Sequence, residues 1–520
     1  MMTQVESYEP RSGSFRDAGF AETTQDEVGR LTAGAADTAE QLADLGAYSL
    51  RWRAATLRAI ADRVDSAADE LAALGDEETA LGVGRLAGEI VRTTNQFRLF
   101  ATAVEEGSFL EVVIDHPDPD AQPAPRPELR RMLNPIGPVA VFSASNFPFA
   151  FSVAGGDTAA ALAAGCPVIV KAHHGHPRTS ARTAALVAAA LIEAGAPPGT
   201  FAIVYGREAG QRLVTDPHVK AVGFTGSLHG GRALFDLAVS RPDPIPFYGE
   251  LGSLNPVVVT RATVAARGAD IVEGFVGSFT LGAGQFCTKP GVLFLPAGHG
   301  LSDTLATAVG RVAPAPLLTP AIRDGFRDAV ERLAADPSVD LLASTSAPVD
   351  AGRPSGGTGQ DTNAVPPPRL YTTSAATVAA NPALLAECFG PSSLVVEYDG
   401  EDDLLAGLDA FQGSLAMCIH AEPEDEKLSE ALLARARRFA GRVVWNGWPT
   451  GVAVTWSMHH GGPWPATTNP LHTSVGVASI RRFLVPVVYQ NTPHELLPEP
   501  LRDGNRLGLP RRIDGNLQLS

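Results

Sequence analysis

A cysteine and a glutamate are the residues of this chain best placed to do chemistry. Cys287 lies in the small-residue stretch Gly282-Ala-Gly-Gln-Phe-Cys-Thr-Lys-Pro-Gly291, 37 positions after Glu250 in Tyr-Gly-Glu-Leu-Gly-Ser-Leu-Asn-Pro256. Small, flexible neighbours let a substrate approach the thiol, and a carboxylate brought beside it by the fold can act as its base or activate a water. The pair indicates covalent catalysis through a thioester, although neither residue alone would be strong evidence.

Strands and helices alternate from Pro138 onward, which is typical of a parallel, doubly wound sheet. The predicted strands are 139–143, 167–171, 201–205 and 219–224, and the predicted helices are 152–164, 177–194, 207–214 and 228–239. Ligands of such sheets bind beyond the carboxyl ends of the strands. Four residues lie at or just after predicted strand ends: Asn146, Lys171, Gly206 and Thr225. The pattern therefore predicts that they share one site.

The chain has 520 residues, more than one hydrophobic core usually holds, so several regions are expected. We predict a loosely ordered N-terminus (1–30), a first α/β domain (31–250), a second α/β domain (251–440), a return segment (441–485) and a C-terminal oligomerisation arm (486–520), which residues 113–134 can join. Helical spacing of apolar residues predicts an amphipathic helix over 51–74. A stretch rich in Gly, Pro, Ser and Thr predicts an exposed loop over 346–368.

Composition argues against several classes of protein. The net charge of −16 disfavours nucleic acid and anionic membranes as partners, because both need clustered Lys and Arg. No run of about 18 apolar residues predicts a membrane span, and the polar N-terminus does not resemble a signal peptide. We therefore expect a cytoplasmic protein with reduced thiols, in which Cys166, Cys388 and Cys418 are packing residues.

A dinucleotide-binding GxGxxG fingerprint is not found where it would need to be. The nearest match, Gly82-Val-Gly84-Arg-Leu-Ala87, lies in polar helical sequence with no strand before it, so it fails the structural test for this motif. A dinucleotide, if the protein uses one, must be held differently.

Six short motifs occur in one order: Ser145-Asn146-Phe-Pro148, Val170-Lys171-Ala, Phe224-Thr225-Gly226-Ser227, Glu250-Leu-Gly252, Gly284-Gln-Phe-Cys287 and Glu387-Cys-Phe389-Gly-Pro391. In this set and order the chain resembles the aldehyde dehydrogenase superfamily, over about residues 30 to 490. The resemblance implies an α/β, aldehyde dehydrogenase-like fold. Such a fold has a doubly wound Rossmann-type cofactor domain, a second α/β catalytic domain and a small oligomerisation element. Members of this superfamily bind the dinucleotide without GxGxxG.

Three further stretches look like the NADP-linked branch of that superfamily: Phe-Cys-Thr-Lys-Pro-Gly, Gly230-Gly-Arg-Ala-Leu-Phe235 and His460-Gly-Gly-Pro463. The branch holds 2-oxoglutarate semialdehyde (2,5-dioxopentanoate) dehydrogenases and bacterial fatty-aldehyde dehydrogenases. The resemblance implies oxidation of 2-oxoglutarate semialdehyde, with an arginine to bind the distal carboxylate. A fatty aldehyde is the alternative, because a phenylalanine-rich entrance suits an alkyl chain.

The resemblance implies a role for each catalytic candidate. Cys287 would be the nucleophile, and the Asn146 amide with the Cys287 backbone N–H would stabilise the oxyanion. Glu250 would be the general base that activates water against the thioester. The other interpretations are a buried structural cysteine, a helix N-cap for Asn146 and a surface ion pair for Glu250. His460 would tune the thiol or contact substrate, or would simply bond backbone carbonyls in its loop.

Cofactor and substrate residues are assigned in the same way. Lys171 and Glu387 resemble the residues that hold the two ribose hydroxyls of the cofactor. Phe389 would pack near the nicotinamide ribose. The phosphates would bind at the start of a helix, after Thr225, Gly226 and Ser227. Lys171 and Arg207 could both pair with a 2′-phosphate, so NADP is expected rather than NAD, although His174 departs from the branch. The substrate-lining candidates are Phe147, Phe149 and Phe286, whereas Phe151 is expected in the core. No metal is expected, because the histidines after Lys171 have no completing Cys or carboxylate.

Other functions fit parts of the pattern. A cysteine hydrolase would use Cys287 without a cofactor, and a silent homologue would keep only the fold. Glu250 disfavours an acylating enzyme that uses coenzyme A, because hydrolysis of the thioester would compete with attack by coenzyme A. The polar C-terminal segment, together with the resemblance, predicts a homodimer or homotetramer.

Overall fold

A computed structural model describes residues 3–345 and 365–519 of the chain. The predicted exposed loop over 346–368 falls outside the described residues, apart from its last four positions. Among the described helices, none is long and apolar enough to cross a membrane.

The helices of the described residues are α1 (Gln25–Leu42), α2 (Leu50–Asp65), α3 (Ala68–Thr79), α4 (Val83–Glu106), α5 (Gly156–Ala164), α6 (Pro177–Glu193), α7 (Arg207–Thr215), α8 (Leu228–Val239), α9 (Arg261–Thr280), α10 (Ser302–Gly310), α11 (Pro320–Ala335), α12 (Ala375–Ala380), α13 (Glu401–Asp409) and α14 (Glu426–Phe439). Short 3-10 turns connect several of them, including Leu281–Gly284 directly before Cys287.

The strands are β1 (Gln4–Glu9), β2 (Ser14–Ala21), β3 (Val112–Asp115), β4 (Leu129–Pro135), β5 (Val139–Phe142), β6 (Val168–Lys171), β7 (Phe201–Val204), β8 (Ala221–Thr225), β9 (Phe247–Glu250), β10 (Pro256–Val259), β11 (Val292–Pro296), β12 (Asp340–Ser344), β13 (Arg369–Ser374), β14 (Ser392–Tyr398), β15 (Ser414–His420), β16 (Ala440–Trp445), β17 (Leu484–Gln490), β18 (Arg511–Ile513) and β19 (Asn516–Gln518).

Two parallel sheets carry the strand ends on which the sequence predictions depend. The first has five parallel strands in the order β7-β6-β5-β8-β9. The second has seven strands in the order β12-β13-β14-β11-β10-β15-β16, in which only the edge pair β12–β13 is antiparallel. The chain passes from the first sheet to the second between Glu250 and Pro256. The predicted α/β class with a doubly wound parallel sheet is confirmed, whereas the division into domains stays a prediction.

The predicted strands and helices of the first sheet all form, with small shifts at their ends. The largest shift is in the helix expected over 152–164, which begins only at Gly156 because the residues before it form turns. The amphipathic helix expected over 51–74 is two helices, α2 and α3, broken at Ser66 and Ala67. The apolar spacing runs on across the break, so periodicity alone could not reveal it.

The prediction of a loosely ordered N-terminus is wrong for residues 3–30. Strands β1 and β2 form an antiparallel hairpin, and α1 begins at Gln25. Ser7 Oγ donates to Glu78 Oε1 at 2.5 Å, and Arg11 pairs with Asp76 at 2.8 Å. The polar sequence gives a weak strand signal, because the hairpin is stabilised by contacts with α3 rather than by an apolar face of its own.

A separate five-stranded sheet joins distant parts of the chain in the order β17-β4-β3-β18-β19. It brings the C-terminal residues onto the 112–135 segment of the same chain, with β17 antiparallel to β4 and β18 parallel to β3. Residues 113–134 and 486–519 therefore form one structural unit, as the predicted arm would require, while its role in assembly stays a prediction.

Candidate active site

Cys287 follows a tight turn that only small residues can form. The turn Leu281–Gly284 includes Gly282 and Gly284 with φ of 57° and 67°. A Cβ atom at Gly284 would lie 2.1 Å from the carbonyl oxygen of Gly390, so glycine is needed for this close approach. The turn therefore packs backbone to backbone against the loop that carries Glu387 and Phe389.

Asn255 and Lys289 make hydrogen bonds that fix the loop containing Cys287, called the cysteine loop. Asn255 Nδ2 donates to the carbonyls of Cys287 at 2.8 Å and Lys289 at 3.0 Å. Its Oδ1 accepts from Ser253 Oγ at 2.6 Å and from the backbone N–H of Ala416 at 3.1 Å. Lys289 Nζ donates to the carbonyls of Cys388 and Ser392, both at 2.6 Å. The nucleophile candidate thus lies in a loop whose polar backbone groups are largely satisfied by buried side chains.

The structure brings Cys287, Glu250 and His460 together although they are far apart in sequence. His460 Nε2 lies 3.6 Å from Cys287 Sγ and 2.9 Å from Glu250 Oε1. Glu250 ends β9, whose register with β8 places it opposite Thr225. The side chains of His460 and Glu250 are 0% and 1% exposed, so the pair is shielded from bulk solvent.

Ser474 fixes the other oxygen of the Glu250 carboxylate. Its Oγ donates a short hydrogen bond to Glu250 Oε2. The Ser474 backbone N–H donates to the His460 carbonyl at 2.9 Å, and the His460 N–H donates to Thr473 Oγ1 at 2.8 Å. The loops around residues 460 and 474 are therefore joined by hydrogen bonds, and a side chain from each of them contacts Glu250.

Burial and neighbouring charges set the protonation of this group. Burial and the nearby Glu250 carboxylate raise the pKa of Cys287 well above its usual value, with Arg92 acting in the opposite direction. Burial would also raise the pKa of Glu250, but the charge of His460 and polar contacts with His460, Ser474 and Cys287 outweigh it and lower that pKa. The resting site thus holds a neutral thiol beside an ionised carboxylate, and the thiol needs a base to become a nucleophile.

Asn146 lies against the cysteine loop as the oxyanion prediction requires. Its Nδ2 donates to the carbonyl of Gln285 at 2.9 Å, two residues before Cys287, and its own carbonyl accepts from Arg85 Nη2 at 2.7 Å. An amide nitrogen carries two hydrogens, so one donor is used for positioning and the second can serve a substrate oxygen.

Phe149 and Phe151 exchange the positions expected for them, one in the substrate lining and the other in the core. Phe149 is fully buried in a core cluster with Leu71 and Leu86, so its assignment to the substrate lining is wrong. Phe151 was expected in the core, but it is only partly buried, and its ring lies 5.4 Å from Phe147 and 6.5 Å from His460. The turns after Pro148 point 149 inward and 151 toward the site, which a run of alternating phenylalanines does not reveal.

Phe147 and Phe286 do lie together beside the site. Their ring centroids are 5.1 Å apart in an edge arrangement. The guanidinium of Arg85 lies 5.2 Å from the Phe147 centroid and 4.9 Å from that of Phe286, a distance at which a cation is attracted to the ring face. The lining is therefore aromatic with a positive charge at its side.

The carboxyl edge of the first sheet carries residues that fit a dinucleotide. Lys171 ends β6, and burial lowers its pKa to about 8, although the charge of Glu22 opposes this. Glu22 follows the N-terminal hairpin, and its carboxyl carbon would lie 2.8 Å from a Cβ at Gly206, at the end of β7. Arg207 is exposed in the first turn of α7. The adenosine side therefore has two cations and one unexpected carboxylate.

The other predicted cofactor residues meet at the same edge. Ser227 caps α8 by accepting from the Gly230 N–H at 3.2 Å, and the Gly226 N–H donates to the Glu250 carbonyl at 3.1 Å. A Cβ at Gly252 would lie 2.4 Å from Glu387 Oε2. Burial raises the pKa of Glu387 to about 7, opposed by the charge of Lys289. Phe389 is partly buried two residues on. The Glu387 carboxylate therefore lies beside Gly252, which is also near Leu228 at the start of α8.

Among the described residues, one group has ligand atoms close enough together to hold a metal ion. The ligand atoms of Glu250, Cys287 and His460 lie within 4.8 Å of one another, which is enough for three ligands of one ion. The rings of His173 and His174 lie 4.2 Å apart, but His173 Nδ1 accepts from the Gly175 N–H. The expectation that the protein uses no metal stays a prediction.

Comparison with known proteins decides the family. Residues 3–464 match the model of the aldehyde dehydrogenase family. The chain belongs to the aldehyde dehydrogenase family. Alpha-ketoglutaric semialdehyde dehydrogenase 2 of Azospirillum brasilense is 44% identical over 521 residues, covering 99% of this chain and 96% of that protein. The alpha-ketoglutaric semialdehyde dehydrogenase of Acinetobacter baylyi is 43% identical over 440 residues, covering 83% and 81%.

Solved structures of aldehyde dehydrogenases share the fold. One from Burkholderia cenocepacia superposes with a TM-score of 0.77 at 22% identity, covering 94% of this chain and 97% of that one. Aldehyde dehydrogenase C of Pseudomonas syringae, solved with NAD⁺ and octanal, gives 0.76 at 18% identity, covering 94% and 93%. The predicted recognition of the family, the fold and the aldehyde dehydrogenase activity are confirmed, and the family uses NAD or NADP.

Sequence reasoning missed three residues of this aldehyde dehydrogenase site. Asn255 was part of a quoted motif, and its position before Pro256 at the start of β10 could have marked it. Ser474 and Arg92 carried no usable signal, because one lies in an irregular loop and the other in an ordinary helix pattern. Their roles depend on tertiary contacts alone.

Replacing Asn255 is expected to loosen the cysteine loop of this aldehyde dehydrogenase. Its side chain makes four buried hydrogen bonds, and its φ of 51° suits Asn or Gly better than other residues. We expect Asn255→Ala to cost roughly 2 to 4 kcal/mol of stability, from unsatisfied buried groups and backbone strain. Thermal melting of Asn255→Gly alongside it separates the two terms, since Gly removes only the side chain. Unchanged melting in both variants would show that the loop does not depend on Asn255.

Proposed function

We propose that this enzyme oxidises 2-oxoglutarate semialdehyde to 2-oxoglutarate. The observation that carries the proposal is the agreement of two relatives with this named activity, 44% and 43% identical, one of them along nearly the whole chain. The Cys287–His460–Glu250 arrangement supplies the chemistry. What distinguishes this substrate from simple aldehydes is its distal carboxylate, so the site should present a cation at a suitable place.

Arg92 is the cation that best meets this requirement. Its guanidinium lies 5.2 Å from the centroid of Phe151, and its charge acts on both Cys287 and Glu250. Within the described residues its guanidinium makes a single hydrogen bond, to the Val452 carbonyl at 3.4 Å, so donors are available for a carboxylate. Charge-assisted bonds from arginine to a carboxylate are strong and directional, which supports Arg92 as the receptor for the distal end.

The helix that carries Arg92 has surplus positive charge on the face toward the site. Arg85, Glu89 and Arg92 are spaced at i, i+4 and i+7 along α4, so they share one face. Glu89 is committed to the backbone N–H groups of Phe149 and Ala150, and burial raises its pKa. The Glu89 carboxylate, which already accepts from two backbone N–H groups, thus faces two guanidinium groups, which favours an anionic substrate.

The geometry supports a four-part reaction. The Cys287 thiol proton passes to His460 Nε2, 3.6 Å away, while Glu250 stabilises the resulting imidazolium. Sulfur then adds to the aldehyde carbon, and Asn146 donates to the oxygen that gains charge. A nicotinamide dinucleotide held by Lys171 and Glu387 would supply the hydride acceptor. Glu250 finally takes a proton from water as the new C–O bond forms, the C–S bond breaks and the acid leaves.

The cofactor is proposed to be NADP. Lys171 and the exposed Arg207 support a 2′-phosphate by charge, whereas Glu22 beside Gly206 opposes it. Two cations against one carboxylate leave the balance positive. NAD is the alternative, favoured to the extent that Glu22 keeps Lys171 paired.

Cofactor affinity is expected to peak between pH values of about 7 and 8. Glu387, with its pKa raised to about 7, loses its charge below that pH, and Lys171, with its pKa lowered to about 8, loses its charge above it. The dissociation constant for NADP, followed by protein fluorescence, should rise on both sides. Glu387→Gln should flatten the acid limb and Lys171→Gln the alkaline limb. An alkaline limb equally steep for NAD, which has no 2′-phosphate, would contradict the pairing of Lys171 with that phosphate.

Arg92→Gln is expected to raise the KM for 2-oxoglutarate semialdehyde about 10- to 100-fold, or about 1.4 to 2.7 kcal/mol. Pentanal, of the same length but without the carboxylate, should keep its KM. Arg98→Gln is the matched control on the same helix, because Arg98 pairs with Asp62 and Asp65 at the surface. A similar loss with both aldehydes would show that Arg92 supports the site in general rather than the distal carboxylate.

Reduced-cofactor absorbance tests the proposed function directly. The wild type is assayed with 2-oxoglutarate semialdehyde, succinate semialdehyde and decanal, each with NAD and with NADP. Highest kcat/KM with 2-oxoglutarate semialdehyde and NADP supports the proposal. A steep preference for decanal would favour the second candidate function, a long-chain fatty-aldehyde dehydrogenase. The aromatic lining formed by Phe147, Phe151 and Phe286 supports this candidate.

We also infer assembly into a homodimer or homotetramer. Strand β19 ends the five-stranded C-terminal sheet, and all three of its residues are exposed. An unpaired edge strand offers backbone groups to another chain, which supports pairing between copies. The predicted cytoplasmic location rests on the sequence and stays a prediction.

A further inference from the structure

A polar cavity reaches Glu250 by a route that does not include Cys287 among its lining residues. It encloses about 230 Å³, open mouth included, and is lined by Tyr248, Glu250, His460, His472, Thr473 and Ser474, among others. Glu250, His460, Thr473 and Ser474 are buried, whereas Tyr248 and His472 are partly exposed. The buried catalytic pair thus forms one end of the cavity, and His472 lies toward solvent.

Two buried atoms of the catalytic pair are unpartnered in the described part of the chain. Glu250 Oε1 lies 2.9 Å from His460 Nε2 in an ion-pair contact, but it has no aligned hydrogen-bond partner among these residues. His460 Nδ1 has no hydrogen bond either. Buried polar atoms without a partner are rare and usually meet ordered water, and the cavity that both residues line has polar walls and room for water.

The reaction needs such a path, because oxidation of an aldehyde to a carboxylate releases protons in every turnover. His460 receives the thiol proton when sulfur adds to the aldehyde, and Glu250 receives a proton from the attacking water. The carboxylic acid product loses a third proton as it ionises, and the thiolate freed by cleavage of the C–S bond takes one back, so two protons leave in each turnover. With substrate and cofactor in place, the side of the pair facing Cys287 is covered. Both residues must nevertheless return to their starting protonation before the next cycle.

We propose that this cavity is the proton exit of the active site, in which water connects Glu250 Oε1 and His460 Nδ1 to His472 at the mouth. His460 would take the thiol proton at Nε2 and release one at Nδ1, while Ser474 holds the Glu250 carboxylate in line with the cavity. The proposal rests on the proposed hydrolysis of a thioester by Glu250. His472 is a relay residue in it, since it contacts neither substrate nor cofactor.

The surroundings of His472 favour the neutral form of its imidazole. Its ring meets that of Tyr248 edge-on at 5.1 Å. Burial, together with the charges of Arg482 and Arg481, lowers its pKa, so the imidazole is neutral at neutral pH and passes a proton on quickly. Arg482 itself is paired with Asp157 at 2.7 Å.

Stopped-flow measurement of cofactor reduction together with a pH indicator tests the exit. In the wild type, proton release should keep pace with cofactor reduction or with the steady-state rate. In His472→Leu, reduction in the first turnover should be unchanged, while proton release and kcat fall roughly fivefold or more. Added imidazole should restore both, because a small base can replace a proton relay but cannot repair misfolding. His494→Leu, at an exposed histidine of the C-terminal segment, is the matched control.

Ser474→Ala distinguishes the positioning of the Glu250 carboxylate from the transfer of the proton through His472. It should slow hydrolysis of the thioester without a response to imidazole, because the carboxylate is then misdirected rather than disconnected. Wild-type proton release in His472→Leu, or a loss that imidazole does not restore, would overturn the proposal. Failure of the wild type to oxidise any aldehyde would instead refute the proposed function, so the two failures are distinguishable.

Discussion

Cys287→Ala is expected to lower aldehyde oxidation by roughly 10⁴-fold or more, the scale on which removal of a nucleophile acts. The Cys287 thiol lies 3.6 Å from His460 Nε2 and can form a covalent bond with the aldehyde carbon. Without it no thiohemiacetal forms, so no hydride can leave. Absorbance of the reduced cofactor, with saturating aldehyde, measures the loss.

Cys418→Ala is the matched control for that experiment. Cys418 is fully buried in β15 of the second sheet, so its removal should cost about 1 kcal/mol of stability from lost packing and leave turnover intact. Cofactor reduction that survives in Cys287→Ala but not in Cys418→Ala would reverse the assignment of the nucleophile. Binding of NADP to Cys287→Ala, followed by fluorescence, should remain and would show that the variant is folded.

Glu250→Gln is expected to stop the reaction after its first half. Hydride transfer precedes the step that Glu250 serves, so one equivalent of reduced cofactor per site should form in a burst. Steady-state turnover should then be about 10²- to 10⁴-fold slower, the usual contribution of a general base. Stopped-flow absorbance shows both phases, and mass spectrometry should detect the acyl group on Cys287.

The outcome for Glu250→Gln also discriminates between the bases available to the thiol. A normal burst indicates that His460 alone can deprotonate Cys287, 3.6 Å away. A missing burst, with cofactor binding retained, would mean that Glu250 is already required for thiolate formation. Glu397→Gln, in β14 and away from the site, provides a control for the loss of one negative charge.

Local sequence predicted the first sheet well because each strand and helix there carries its own signal. Apolar runs such as Val168–Lys171 predict a strand within a few residues, and the proline at the start of α6 predicts the beginning of a helix. The Cys287, Glu250 and Asn146 assignments came from motifs of the same local kind. The structure places all three where the predicted chemistry needs them, although their roles await experiment.

Features that depend on long-range contacts were not predictable in this way. The N-terminal hairpin is fixed by Glu78 and Asp76, about 70 residues away. The exchange between Phe149 and Phe151 depends on turns after Pro148, since both residues look alike in sequence. Arg92 and Ser474 become meaningful only once α4 and the 474 loop are placed beside Glu250.

The cysteine loop has a consequence for the rate of each encounter with substrate. Asn146 and Asn255 bind three of its carbonyls, and its Lys289 side chain donates to the carbonyls of Cys388 and Ser392. Gly284 packs its turn against Gly390. A nucleophile in such a loop has few alternative positions, so little ordering remains to be done when an aldehyde arrives. The conformational entropy of the loop is lost once, when the protein folds, rather than anew in every catalytic cycle.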